Sequence, residues 1–161
     1  MEAFEAKLKD QKIEFAIGAQ SHKQLPLVHT FWHTKPDPSS DPGLMFRAYN
    51  EPHDDSNRKC VDELHLTDSV AMFQDYYCPR LKSALWYADL EGYFTADATG
   101  DYEIGICVYG TGLLYCDGKL IIDNATKQRQ GSAFFGAGTE EEKATIPMEK
   151  GKTYHLSLIH I

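Results

Sequence analysis

Cysteine is sparse in this chain. Four cysteines among 161 residues, at positions 60, 78, 107 and 116, form no Cys-x-x-Cys pair and have no histidine pair beside them, which excludes zinc-finger spacing. Reduced thiols are expected, with the even count leaving a disulfide open. Cys107 falls in a strand-like run and is expected to be buried. Positive charge is scarce as well: 16 Lys and Arg against 24 Asp and Glu give a formal net charge of −8. Nucleic acid and anionic membranes both need concentrated Lys and Arg, so neither is expected as a partner. No apolar run approaches the roughly 18 residues of a membrane span. The opening MEAFEAKLKD is charged throughout and lacks the apolar stretch of a signal peptide. A cytoplasmic location is expected on that ground, with a secreted parent left open.

Catalytic signatures are missing too. There is no Gly-x-Ser-x-Gly elbow. Gly110-Thr111-Gly112 lies between two strand-like runs with no helix behind it, so it is no dinucleotide fingerprint. Retaining glycoside hydrolysis needs two carboxyl groups about 5 Å apart, and nothing in the spacing of the acids pairs any two. No catalytic residue, metal or cofactor is assigned. Asp54-Asp55 reads as a solvated loop, because calcium needs about six to eight oxygens in a defined loop. His22, His29 and His33 share no helical or hairpin spacing and read as part of a solvated segment.

What is present is an ordinary globular composition, 42% hydrophobic and 12% aromatic, in a length that suits one domain. Residues 1–10 read as an amphipathic helix with Phe4 and Leu8 on one face, and 12–17 alternate as a strand. Residues 19–43 are linker-like, rich in proline and turn formers. Strands are expected at 44–49, 61–66, 72–77 (with Phe73 and Tyr77 as its apolar residues), 85–95, 102–108, 144–148 and 153–161, with turns at 97–100 and 149–152. Short strands at close spacing predict an antiparallel sandwich.

The chain is organised around residues 109–139. Leu113-Leu114-Tyr115-Cys116 and Lys119-Leu120-Ile121-Ile122-Asp123 flank Asp117-Gly118, which predicts a type I′ hairpin with both central residues at positive φ. An uninterrupted register pairs Tyr115 with Leu120 and Leu113 with Ile122 on an apolar face, expected to be core. Cys116 with Lys119 and Leu114 with Ile121 fall on the other. Further on, Phe134-Phe135 stands between glycines. Neighbours in an extended chain point to opposite sides, so one ring can anchor inward while the other forms an exposed platform; both rings in the core is the plain alternative.

Several runs together resemble one known module: Tyr109-Gly110-Thr111-Gly112-Leu113-Leu114-Tyr115, Asp117-Gly118-Lys119-Leu120, Gln128-Arg129-Gln130-Gly131 and Phe135-Gly136-Ala137-Gly138-Thr139. The chain is similar to the protective-antigen-type (PA14) β-sandwich inserted in fungal-type β-glucosidases of glycoside hydrolase family three. The resemblance implies a mainly β fold, with residues 1–18 a helix-strand remnant of the host α/β sandwich and 44–161 the inserted sandwich, cut short at its C-terminus. It implies a non-catalytic carbohydrate-recognition module whose partners are the catalytic domains of its own parent chain and a β-glucoside or oligosaccharide substrate. In such enzymes the insert's loops build the aglycone (+1) side of the pocket. Phe135 matches the family's Phe-Gly-Ala-Gly-Thr run directly, with Phe134 beside it; Arg129 and Gln130 would hydrogen-bond hydroxyls. Two other readings stay open. One is a free-standing lectin, although the Asp-Asp pair of calcium-dependent relatives is replaced near here by Tyr109-Gly110-Thr111. The other is a purely structural or oligomer-forming sandwich.

Overall fold

The computed structural model describes residues 23–28, 32–132 and 134–160. The expected helix at 1–10 and strand at 12–17 lie outside the described residues, as do His22 and His29. Among the described residues nine strands follow in chain order: β1 Trp32–His33, β2 Leu44–Tyr49, β3 Cys60–Leu66, β4 Tyr87–Thr95, β5 Gly100–Ile106, β6 Gly112–Cys116, β7 Lys119–Asn124, β8 Glu142–Met148 and β9 Thr153–His160. All pairings among them are antiparallel. The larger sheet runs β3-β2-β4-β9-β6-β7, with β1 also on β4, and β5 pairs with β8 in a second sheet.

The two sheets face one another across a shared core. Tyr102, Ile104, Ile146 and Met148 from the small sheet pack with Cys116, Ile121, Tyr154 and Leu156 from the large one. Alternation along each strand puts one side chain in two toward this layer, which is what a sandwich needs. A second cluster lies around Phe46, which is wholly buried and has Phe73, Tyr76 and Trp86 at ring distances of 4.6, 5.5 and 6.1 Å.

That cluster corrects one expectation. Residues 72–77 form no strand but an irregular cover over β2 and β4. A turn closed by Tyr76 N–H on Phe73 O (3.1 Å) brings Phe73 and Tyr76, three apart, onto the same ring, and leaves Tyr77 exposed. A strand would have sent Phe73 and Tyr76 to opposite sides.

The hairpin is a second, partial correction. Asp117 (φ 49°) and Gly118 (φ 77°) have the positive φ values of a type I′ turn, and Tyr115–Leu120 and Cys116–Lys119 pair as expected. Beyond them the register shifts: Leu114 pairs with Ile122 and Leu113 with Asp123. This bulge sets Ile121 and Ile122 against the single residue Leu114, so both isoleucines contribute to the interior. The buried face is therefore Leu114, Cys116, Ile122 and Asn124, while Leu120 is 43% exposed. Cys107 is a smaller revision: it lies just past β5, half-buried, and accepts a hydrogen bond from Gln24 Nε2 at 3.0 Å. All four cysteines are free thiols.

Candidate functional site

Three segments meet at one end of the sandwich: 107–111 between β5 and β6, 125–132 after β7, and 134–141 before β8. The first turn after β7 is set by Asp123, whose Oδ1 accepts the N–H groups of Ala125 and Thr126 and whose Oδ2 accepts the Thr126 hydroxyl. Those bonds hold the Asp123 carboxyl below its ordinary pKa. Next the chain doubles back on itself. Gly131 N–H donates to Gly138 O (2.9 Å) and Glu140 N–H to Arg129 O (2.7 Å), around a bridge between Gln130 and Thr139. The strands of this short ladder approach so closely that a Cβ on Gly131 would lie 2.4 Å from both Glu140 N and Thr139 O. Glycine is required there.

The ladder carries a tip at Phe134–Gly136, a short 3-10 turn closed by Ala137 N–H on Phe134 O (3.1 Å). Both phenylalanines have left-handed backbones, φ 51° and 59°. The chain is not extended here, so the outward ring arises from a turn and not from strand alternation. Phe135 is 97% exposed and Phe134 is half-buried, which overturns the alternative with both rings in the core. Gln130 Nε2 donates to Gly136 O (3.1 Å) across the tip.

A cleft of about 360 Å³ lies beside this loop, lined by Tyr109, Gly110, Gln128, Arg129, Gln130 and Thr139, among others. Tyr109 is 64% exposed. It was not singled out as a candidate from the sequence, yet the signal was present: Tyr109-Gly110 and Phe135-Gly136 are both an aromatic followed by a positive-φ glycine (φ 111° and 85°). Gln128 Nε2 ties the segments by donating to Gly110 O (2.6 Å) and Asn124 O (2.9 Å). Arg129 is held by Glu142 (Nε–Oε1, 2.8 Å) and Glu140 (Nη1–Oε2, 2.9 Å). The bond to Glu142, with the charges of Glu142 and Glu140, raises the guanidinium pKa above its ordinary value. Gln130 thus reaches the tip that carries Phe135, while Arg129 lies at the base of the ladder, each with part of its hydrogen-bonding capacity committed to holding the loop.

Both ends of the described chain converge here. Lys23 Nζ reaches Ser132 Oγ (3.5 Å), Leu25 N–H donates to Glu141 Oε1 (3.0 Å), and His160 Nε2 lies 2.8 Å from Tyr109 O. Among the described residues no group of three or more His, Cys, Asp or Glu is placed to hold a metal ion. Nor is any carboxylate pair part of the cleft lining. The arrangement is an exposed aromatic tip next to a polar cleft.

Two antiparallel sheets with such loops at one end define a β-sandwich domain. The chain belongs to the PA14 domain family, whose match runs over residues 40–160. It is 43% identical over 143 residues to probable beta-glucosidase I of Aspergillus clavatus, covering 89% of this chain and 17% of that protein. To probable beta-glucosidase J of Emericella nidulans it is 44% identical over 148 residues, covering 92% of this chain and 17% of the relative. The crystal structure of beta-glucosidase from Kluyveromyces marxianus in complex with glucose superposes at a TM-score of 0.84 and 25% identity, covering 99% of this chain and 20% of that one. The chain spans less than a fifth of the length of the curated relatives named here.

Proposed function

We propose that this chain is the non-catalytic carbohydrate-recognition module of a β-glucosidase, and that its 131–138 loop shapes the aglycone (+1) side of the active site in the full-length enzyme. The parent is a retaining glycoside hydrolase of family three that releases terminal β-D-glucosyl residues. Phe135 stacks on the group beyond the scissile bond and narrows the enzyme to short β-glucosides with small aglycones. Gln130 accepts from a sugar hydroxyl through Oε1 while its Nε2 holds the tip. Arg129 donates through Nη2 while Nε and Nη1 remain on Glu142 and Glu140.

The observation that carries this reading is the Phe135 ring itself. It is an aromatic side chain 97% exposed on a left-handed backbone. Strain and apolar exposure together are characteristic of a functional surface. The polar cleft beside it suits a ligand with one flat apolar face and several hydroxyls. The names of the relatives supply the reaction class.

Phe135→Ala in the full-length enzyme is expected to change the ratio of kcat/KM for a β-linked disaccharide to that for an aryl β-glucoside by about three- to tenfold. Folding stability should move by no more than about 0.5 kcal/mol, because the ring has little to lose on unfolding. An unchanged ratio would refute the role given to Phe135.

A further inference from the structure

We infer that Asn124 and Thr139 form a buried latch that positions the Phe135 loop, and so govern aglycone preference through the placement of that loop. The inference rests on the reading of Phe135 given above.

Thr139 is where the three segments join. Its Oγ1 accepts the Val108 N–H (3.1 Å) and an Asn124 Nδ2–H (2.9 Å), and its own N–H donates to Val108 O (2.9 Å). One side chain thereby joins the end of β7, the 107–111 segment and the base of the loop. Thr139 also pairs with Gln130 across the short ladder, next to the Gly131–Gly138 bond. Its position fixes where the tip begins. The tip's own bonds, Ala137 N–H to Phe134 O and Gln130 Nε2 to Gly136 O, give it a shape but no attachment to the sandwich. The buried part of that attachment runs through Thr139, beside the exposed ties that Gln128 makes to Gly110 O and Asn124 O and Arg129 makes to Glu142.

Asn124 points to positioning over stability. It is 0% exposed, and its Oδ1 is buried with no hydrogen-bond partner. An unsatisfied amide oxygen opposes folding, and an aliphatic side chain of similar size would avoid that cost. What an aliphatic residue cannot supply is the directional bond from Nδ2 to Thr139. A buried polar group of this kind specifies one conformation at the expense of stability.

The test uses the full-length parent with Thr139→Val, Thr139→Ser, Asn124→Leu and, as benchmark, Phe135→Ala. Hydrolysis of a β-linked disaccharide and an aryl β-glucoside is followed alongside thermal melting. The latch predicts that Thr139→Val and Asn124→Leu shift the kcat/KM ratio in the same direction as Phe135→Ala, by about fivefold. The shift should come through KM for the disaccharide, with kcat for the aryl glucoside held. Thr139→Ser, which keeps Oγ1, should retain the wild-type ratio, and Asn124→Leu should melt near the wild-type temperature. A shift with Phe135→Ala but none with Thr139→Val or Asn124→Leu overturns the latch and leaves the role of Phe135 standing. No shift with Phe135→Ala removes both. If Asn124→Leu fails to fold, Asn124 serves stability and the latch is likewise overturned.

Discussion

Phe135 is held at φ 59°, where an L residue's Cβ crowds the following carbonyl at a cost of roughly 1–2 kcal/mol. Glycine escapes that cost, so Phe135→Gly should be more stable than Phe135→Ala by about 1 kcal/mol in parallel urea melts. Equal melts would show that the backbone there is not under strain. A different residue-scale device anchors the opposite edge of the large sheet. Arg58 makes a two-pronged pair with Asp89, Nη1–Oδ2 at 2.5 Å and Nη2–Oδ1 at 2.9 Å, and its guanidinium lies 3.5 Å over the Tyr49 ring. Burial, with the Asp89 charge next in effect, raises the Tyr49 hydroxyl pKa to about 12. The two side chains of the pair are only 13% and 11% exposed. Asp89→Ala would leave a buried cation without its partner and should cost about 3 kcal/mol or more in denaturant unfolding. A loss below 1 kcal/mol would mean that solvent reaches Arg58 freely.

Among the elements, the β6–β7 hairpin shows how far local reasoning reaches. Its turn was legible because Asp117-Gly118 has few conformations that join two strands. The pairs nearest the turn were legible for the same reason. The bulge was not, because a run of Leu120-Ile121-Ile122 satisfies either register, and only the opposing sheet decides which isoleucines are enclosed. Ile122→Ala should therefore cost about 2–4 kcal/mol and Leu120→Ala no more than about 1, by urea unfolding. The reverse order would restore the uninterrupted register. The 72–77 segment differs from expectation for a related reason: an aromatic-rich segment that covers a sheet has the composition of one that belongs to it. In the candidate site Phe135 could be singled out from its glycine neighbours. Asn124 and Thr139 could not, because their bond joins the end of β7 to the base of the loop and no periodicity marks a hydrogen bond between distant residues.

At the scale of the whole molecule, the described ends and the candidate loops share one end of the sandwich, and His160 joins them. Its ring is half-buried, with Nε2 on the Tyr109 carbonyl, and burial outweighs that bond to lower its pKa. The folded state therefore takes up this proton less readily than the unfolded chain. The contribution of His160 is present above its unfolded pKa of roughly 6.5 and is lost as pH falls through the lower folded value. Stability of the wild type should decline more steeply than that of His160→Gln between about pH 7 and 5 in urea titrations. Parallel curves would remove His160 as a link between the last strand and the Tyr109 segment.

The central claim is that this sandwich recognises substrate and another part of the parent performs the chemistry. The most direct measurement is hydrolysis of an aryl β-glucoside by these 161 residues alone, beside the full-length parent assayed under the same conditions. The expected result is no turnover by the isolated chain and turnover by the parent. Turnover by the isolated chain would contradict the account, because it would require a pair of catalytic carboxyl groups within the sandwich itself.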